Sequence, residues 1–397
     1  MGSIVCILAE TGIEPDGALS GFFIVTYSTR IIGNAQDFAR IRRQWDRLVE
    51  ESRAGSLFMS WPWLMSAWQA LSDEEQPIVV LFEQLDRLIC AAAFVQRRHR
   101  YYGVPVRELA FLGDGISDRQ EFLFAAGEEA TLDAMWQFLA ENPFKCDLVR
   151  LEQIPAASQT LVSGERLLRA LETEPASTLA AMPLDMTWEA YHQSLPAALR
   201  RDLRQSERRL SEEGEWNVRH LHGPEILGYL PQMREIERRG YKGPAAQAFL
   251  DKPAHFGFLS AYLQTAPAES TVLTILEVDG RMAAYGLGFL HSGVYHGYNT
   301  SFDEDFKRAA PGKYVIYRSI RYACEKQLQT MDFLRGGSQL KSRFGGTSQQ
   351  NMRGVLFYKG LKNAALRTAV FHVRPIIKSV GKALRWNRKN GMTDSLN

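Results

Sequence analysis

The feature that most constrains this chain is an order of elements that occurs twice. Residues 78–83 and 88–95 read as a hairpin of two buried strands around Gln84-Leu85-Asp86-Arg87. A strand over 108–112, a helix over about 128–141 and a strand over 147–151 follow. The order returns as strands over 271–278 and 282–290 around Asp279-Gly280, a strand over 294–299, a helix over 313–329 and a strand over 331–334. Matched centres lie 193, 193, 185 and 183 residues apart. A period of domain size means duplication, whereas a solenoid would repeat every few tens of residues. The expected class is therefore α/β (α+β): two tandem units, each a mixed, mostly antiparallel sheet flanked by helices.

The remaining patterns fit around this repeat. A short strand over 22–27 precedes a helix over about 35–51, in which Phe38, Ile41, Trp45 and Leu48 recur at helical spacing. A long charged helix over about 188–213 carries the stripe Leu195, Leu199, Leu203 and Leu210, with Gly214 as its C-cap. The expected division is residues 20–180, 181–360 and a tail over 361–397. With 397 residues, 45% hydrophobic and 23% charged, the chain is long enough for two cores and excludes collagen-like or mostly disordered classes. The net charge of +2 points to neither a nucleic-acid nor an acidic partner. Its distribution is uneven. From Lys359 onward there are nine basic residues and one acid, a net +8 against −6 for the rest.

Four scattered cysteines without a C-x-x-C pair predict free thiols in a reducing cytoplasm. The opening Met1-Gly2-Ser3-Ile4-Val5-Cys6 lacks a basic n-region, and Cys6 stands where a myristoylation signal needs Ser or Thr, so neither export nor lipidation is expected. No segment reaches the roughly 20 apolar residues of a spanning helix. G-x-G-x-x-G after a strand, G-x-x-x-x-G-K-[ST], H-E-x-x-H and G-x-S-x-G are all missing, which removes the signals for dinucleotide, P-loop, zincin and hydrolase-elbow chemistry. The scattered histidines predict no metal.

The most informative stretch is 273–359. It holds Val294-Tyr295-His296-Gly297-Tyr298-Asn299-Thr300, Phe302-Asp303, Pro311-Gly312-Lys313 opening a helix, Asp332-Phe333-Leu334-Arg335-Gly336 and Lys341-Ser342-Arg343-Phe344. These motifs resemble the CelD-like, GNAT-type acetyltransferases associated with cellulose and exopolysaccharide synthesis, which are similar to the Fem aminoacyl transferases of peptidoglycan synthesis. Phe58-Met59-Ser60-Trp61-Pro62-Trp63, Trp68 and the Arg-rich 199–209 extend the resemblance over most of 20–360. It implies two tandem GNAT-like domains, with acetyl-CoA or another acyl-CoA as donor and a small-molecule or glycan-precursor acceptor.

Physical chemistry gives candidate roles. The start of the 313 helix, with Lys307, Arg308, Gly312 and Lys313, forms an anion cradle for a pyrophosphate, and Arg343 near Lys341 adds positive charge. The usual GNAT loop Q/R-x-x-G-x-G/A is reduced here to Arg308-Ala309-Ala310-Pro311-Gly312-Lys313, with one of the two glycines and a proline that has no N–H. Acyl transfer needs a base, oxyanion donors and an acid, for which Tyr298, Tyr317, Asp303, Glu235 and Lys341 are candidates. Asp114 and Asp118 could hold an amino or hydroxyl acceptor, and Trp61 could stack on a sugar. Each has a plainer role open to it: strand aromatic, turn former, solvated lysine, polar loop or core tryptophan. The arginines of 200–209 are offset by Asp202, Glu207, Glu212 and Glu213, which predicts a salt-bridged face and no DNA partner. Val370, Phe371, Val373, Ile376, Ile377, Val380, Leu384 and Trp386 alternate with basic residues, so the tail could touch the inner membrane or pack as a helix. The expected activity is acyltransferase. An aminoacyl-tRNA donor and a non-catalytic, membrane-docked subunit are the alternatives.

Overall fold

The computed structural model describes residues 3–9, 23–101, 103–240, 248–336 and 339–369. The apolar part of the tail, 370–397, lies outside them. Among the described residues fourteen strands form one sheet: β1 (Ser3–Ala9), β2 (Phe23–Ile32), β3 (Gln76–Gln84), β4 (Arg87–Tyr101), β5 (Val104–Phe111), β6 (Leu123–Phe124), β7 (Leu148–Pro155), β8 (Leu171–Pro183), β9 (Trp216–His222), β10 (Thr271–Val278), β11 (Arg281–His291), β12 (Val294–Phe302), β13 (Thr330–Arg335) and β14 (Thr347–Phe357). Their spatial order is β1-β2-β3-β4-β5-β7-β14-β8-β13-β12-β11-β10-β9, with β6 on β4.

The duplication is visible in this order. Each half has an antiparallel run whose last strand feeds a crossover helix, Ala130–Ala140 or Pro311–Glu325, and returns to a parallel neighbour, β5–β7 or β12–β13. Both hairpin turns use two positive-φ residues, Leu85 and Asp86 in one half and Asp279 and Gly280 in the other, which matches the twist of antiparallel strands. The two expected sheets are joined edge to edge. β14 from the second half lies against β7 of the first, and β8 from the first lies against β13 of the second, so the closing strands are exchanged.

Two expected helices are each divided. Residues 35–51 break at Ile41 into Ala35–Arg40 and Arg42–Glu51. Residues 188–213 break at Leu195-Pro196 into Trp188–Ser194 and Ala197–Glu213, because proline forces the residue before it into extended backbone. Trp61, Trp63 and Trp68 lie on the helix Trp61–Gln69, which packs on its counterpart Pro253–Thr265. Trp63, fully buried, meets Phe258, Tyr262, Phe289 and Tyr298 at ring-centroid distances of 4.7 to 5.5 Å. One core thus runs under both halves.

Candidate active site

β12 and β13 pair only from Val294↔Thr330 to His296↔Asp332, then diverge, since β12 continues along β11 to Phe302 while β13 turns toward β8. Two bulges shape this wedge. Leu287 faces Asn299 and Gly288 faces Gly297, so Tyr298 is an extra residue on β12. On β13, Phe333 and Leu334 bulge between the pairs Asp332↔Ala181 and Arg335↔Leu179, and Leu334 has φ +55. A buried leucine in left-handed backbone is held there by its surroundings, and such bulges collect next to active sites.

The wedge contains a cavity of 480 Å³, lined among others by Tyr298, Asn299, Lys313, Ser319, Arg335 and Lys341. Its end is the start of the helix Pro311–Glu325. Pro311 has no N–H, and the Lys313 and Tyr314 amides both reach back to the Ala310 carbonyl at 3.2 and 3.3 Å, so the helix start presents Gly312. Position 312 has no room for a larger residue, since a Cβ would meet Phe302 Cδ1 at 2.9 Å. Burial lowers the Lys313 ammonium pKa, opposed by Asp202 at 3.8 Å. Asp202 also accepts from Arg343 at 2.7 Å, and this bond is the main cause that holds its carboxyl below the ordinary range.

Of the residues expected from sequence, Tyr298, Gly312, Lys313 and Lys341 line the cavity, and Arg343 reaches it through Asp202. The Tyr298 hydroxyl donates to the Ile116 carbonyl at 2.7 Å, and burial, then Asp118, keeps its pKa well above the usual tyrosine value. Lys341 Nζ donates to three successive carbonyls, Phe333, Leu334 and Arg335, at 2.7, 3.0 and 2.6 Å; burial lowers its pKa to about 8. Asp118 is beside the wedge, ion-paired with Arg335 and accepting the Arg335 amide at 3.0 Å.

The others lie elsewhere. Tyr317 is on another face of its helix, hydrogen-bonded to His192 Nδ1 at 2.8 Å and packed at a tilt against Trp188, ring centroids 4.9 Å apart. Asp303 caps the turn Glu304–Ala309 and accepts from Arg281 at 2.6 Å, the role of a turn former. Lys307 and Arg308 are exposed beside Glu304 and Glu212. Trp61 is buried under Arg42, Asp114 is paired with Arg97 and Arg150, and Glu235 is half-exposed and bonded to Arg239.

Sequence reasoning missed Glu237 and Asn299. Glu237 is fully buried and accepts from Asn299 Nδ2 at 2.7 Å, Tyr285 Oη at 3.0 Å and the Leu250 amide at 2.8 Å. The signal was present. Position 237 follows Leu230 by seven and Met233 by four, on the buried stripe of its helix, whereas 235 lies off it. Also missed were the buried Asp332 and the half-buried Arg119, an ion pair that reaches across the halves. Burial would raise the Asp332 carboxyl, but His296 and Arg119 hold it below its ordinary range. Among the described residues, no three His, Cys, Asp or Glu side chains cluster as a metal site, and no helix is long and apolar enough to cross a membrane. Cys90, Cys146 and Cys324 are free and buried.

Residues 197–342, which contain this wedge, match the acetyltransferase (GNAT) domain family. Among the solved structures that resemble this fold, three cover 83% of the chain and span both halves. FemX has a TM-score of 0.60 at 10% identity, over 83% of this chain and 98% of that one. The C-terminal domain of a putative lysylphosphatidylglycerol synthetase from Agrobacterium fabrum scores 0.52 at 12%, over 83% and 95%. A conserved protein of unknown function from Bacteroides thetaiotaomicron scores 0.51 at 11%, over 83% and 100%. No curated protein matches this sequence. At these identities the likeness to the solved structures is one of fold, and the match to the acetyltransferase (GNAT) domain family falls in the second half of the chain.

Proposed function

We propose that the chain is an acyltransferase that works in the wedge of its second half. The observation that carries this reading is the cavity between the diverging β12 and β13, closed at one end by Gly312 and Lys313 at a helix N-terminus. A thioester donor, acetyl-CoA or another acyl-CoA, would place its pyrophosphate at that positive end and its acyl carbonyl beside the Tyr298 bulge. The acceptor amine or hydroxyl attacks the carbonyl carbon and gives up one proton, the C–S bond breaks, and the leaving thiolate takes up one proton, by way of solvent or of groups in the wedge, so that the products are the acylated acceptor and the free thiol. Tyr298, kept protonated by burial, is suited to donate a hydrogen bond to the leaving sulfur and is too weak an acid to be the main source of that proton. The acceptor class that fits the motif resemblance is a cell-envelope or exopolysaccharide precursor, met in the cytoplasm. The division into 20–180, 181–360 and a basic tail touching the inner membrane belongs to the same proposal.

The test is calorimetric titration of the purified chain with acetyl-CoA, longer acyl-CoAs and free coenzyme A, before and after Lys313→Ala. Saturable binding lost in the variant supports the reading, and no binding to any of them removes it. A second reading, an aminoacyl-tRNA donor, is favoured by Pro311, which leaves the cradle one N–H short. Binding of aminoacyl-tRNA without coenzyme A would select it. A non-catalytic subunit would keep its function in Tyr298→Phe.

A further inference from the structure

The free edge of β13 shows why the wedge stays open. Beyond the last pair, His296↔Asp332, an unoccupied strand edge would present N–H and C=O groups to β12, and two such edges side by side tend to pair. Here side chains occupy those groups. The Leu334 amide donates to Asp332 Oδ1 at 2.9 Å, and the Arg335 amide donates to Asp118 Oδ2 at 3.0 Å. The three carbonyls of 333–335 converge on the Lys341 ammonium. In a regular strand successive carbonyls alternate sides, so a single cation reaches three of them only because left-handed Leu334 turns the chain. An ammonium has three donors, and three acceptors meet them.

Asp118 comes from the other half. Its carbonyl accepts from Asn351 Nδ2 at 2.6 Å. On one side Ser117 accepts from Trp63 Nε1 at 2.9 Å, and on the other Arg119 pairs with Asp332 and donates to Gln349 at 2.8 Å. The segment 113–120 is thus fixed along its length before it meets β13.

We propose that Asp118 and Lys341 are positioning residues: Asp118 caps the Arg335 amide, Lys341 caps the carbonyls of 333–335, and together they hold the wedge open, so the site of the second half is completed by a loop of the first. Lys341 acts through the strand it holds, and Asp118 makes the two halves a single functional unit. The consequence for donor binding rests on the acyl-donor reading above; the consequence for the backbone does not.

The test uses the full chain with Asp118→Ala, Asp118→Asn and Lys341→Met. Hydrogen exchange of the segment 331–336, read by mass spectrometry without ligand, is expected to quicken about tenfold in Asp118→Ala, from the loss of a charge-assisted hydrogen bond. Asp118→Asn keeps an oxygen acceptor and restores most of the protection. In Lys341→Met the donor KM is expected to rise about tenfold with a smaller fall in kcat, because binding is lost before chemistry. Unchanged exchange in Asp118→Ala overturns the proposal. So does a Lys341→Met whose kcat collapses at constant KM, which would place the ammonium in the chemistry itself. Wild-type protein that binds no coenzyme A, with exchange still responding to Asp118→Ala, supports the capping and removes the acyl-CoA reading alone.

Discussion

The two halves share a plan and differ where the strands part. In the first, β5 leaves β4 at Phe111, β6 takes its place on β4, and residues 112–122 cross toward the second half. β7 has the same bulge as β13: Glu152 and Gln153 stand between the pairs Leu151↔Gly354 and Ile154↔Met352, and Gln153 has φ +61. There the Gln153 carbonyl accepts the Gln120 amide at 3.0 Å, so main chain lies against β7. In the second half a lysine side chain takes the corresponding carbonyl, and the space beside it remains a cavity. The helix starts differ in the same sense. Ala130–Ala140 begins after Glu128 and Glu129 with Asp133 in its first turn, which would repel a phosphate, whereas Pro311–Glu325 begins with Gly312 and Lys313. The bulged strand occurs in both halves, and what lies at its edge differs: main chain in the first, a lysine side chain and a cavity in the second.

The largest expected effect is on stability. Glu108→Ala removes a fully buried carboxylate shared by Arg97, Arg150 and His99 in the first half. It should cost about 3–5 kcal/mol in urea unfolding, because charges would be left buried and unpaired. Donor affinity in the protein that remains folded should be preserved, and a loss of both together would show that the halves are not separable in this way. Next is Lys313→Glu, which gives the second helix start the charge of the first. It should weaken coenzyme A binding by about two orders of magnitude or less, while Glu129→Lys in the first half creates no binding. Gly312→Val pushes a side chain into Phe302 and should destabilise by about 1–3 kcal/mol, seen as a lower Tm, with weaker donor binding.

Acid titration sharpens the comparison further. Glu108 in one half and Asp332 in the other are both held below the ordinary carboxylate range: burial would raise each, and their cationic and hydrogen-bonding partners outweigh it. A depressed native value gives stability that is present above the unfolded pKa and lost as pH falls through the native one. Melting temperature should therefore fall below about pH 4, and Glu108→Gln should flatten that limb. The smallest effect is Glu235→Gln, which breaks an exposed i,i+4 pair and should cost about 0.3–0.5 kcal/mol with donor binding intact.

What could be read from sequence follows burial. β3, β4, β10 and β11 are apolar runs between clear turns, and the crossover helices carry helical periodicity, so the repeat was legible. β8, β9 and β14 were not. β9 is a half-exposed edge strand, Trp216–His222, with the exposed polar residues Asn217 and Arg219 at alternate positions; β8 contains Pro175 at a bulge; the first part of β14 is Thr347-Ser348-Gln349-Gln350. β8 and β14 depend on partners more than 100 residues away in the chain, and β9 on a partner 50 to 62 residues away, information that no local window holds. The site divided in the same way. Gly312 and Lys313 announce themselves at a helix start, but the partners of Tyr298, Lys341 and Asp118 come from loops and bulges whose hydrogen bonds cannot be read from spacing.

The exchanged strands also govern how the molecule is born. At synthesis rates of about 5–20 residues per second, β7 leaves the ribosome roughly 10–40 s before β14 can cover its edge. Over that interval the nascent first half is an incomplete sheet, with one flank open to any strand that arrives first, including the β14 of a neighbouring chain.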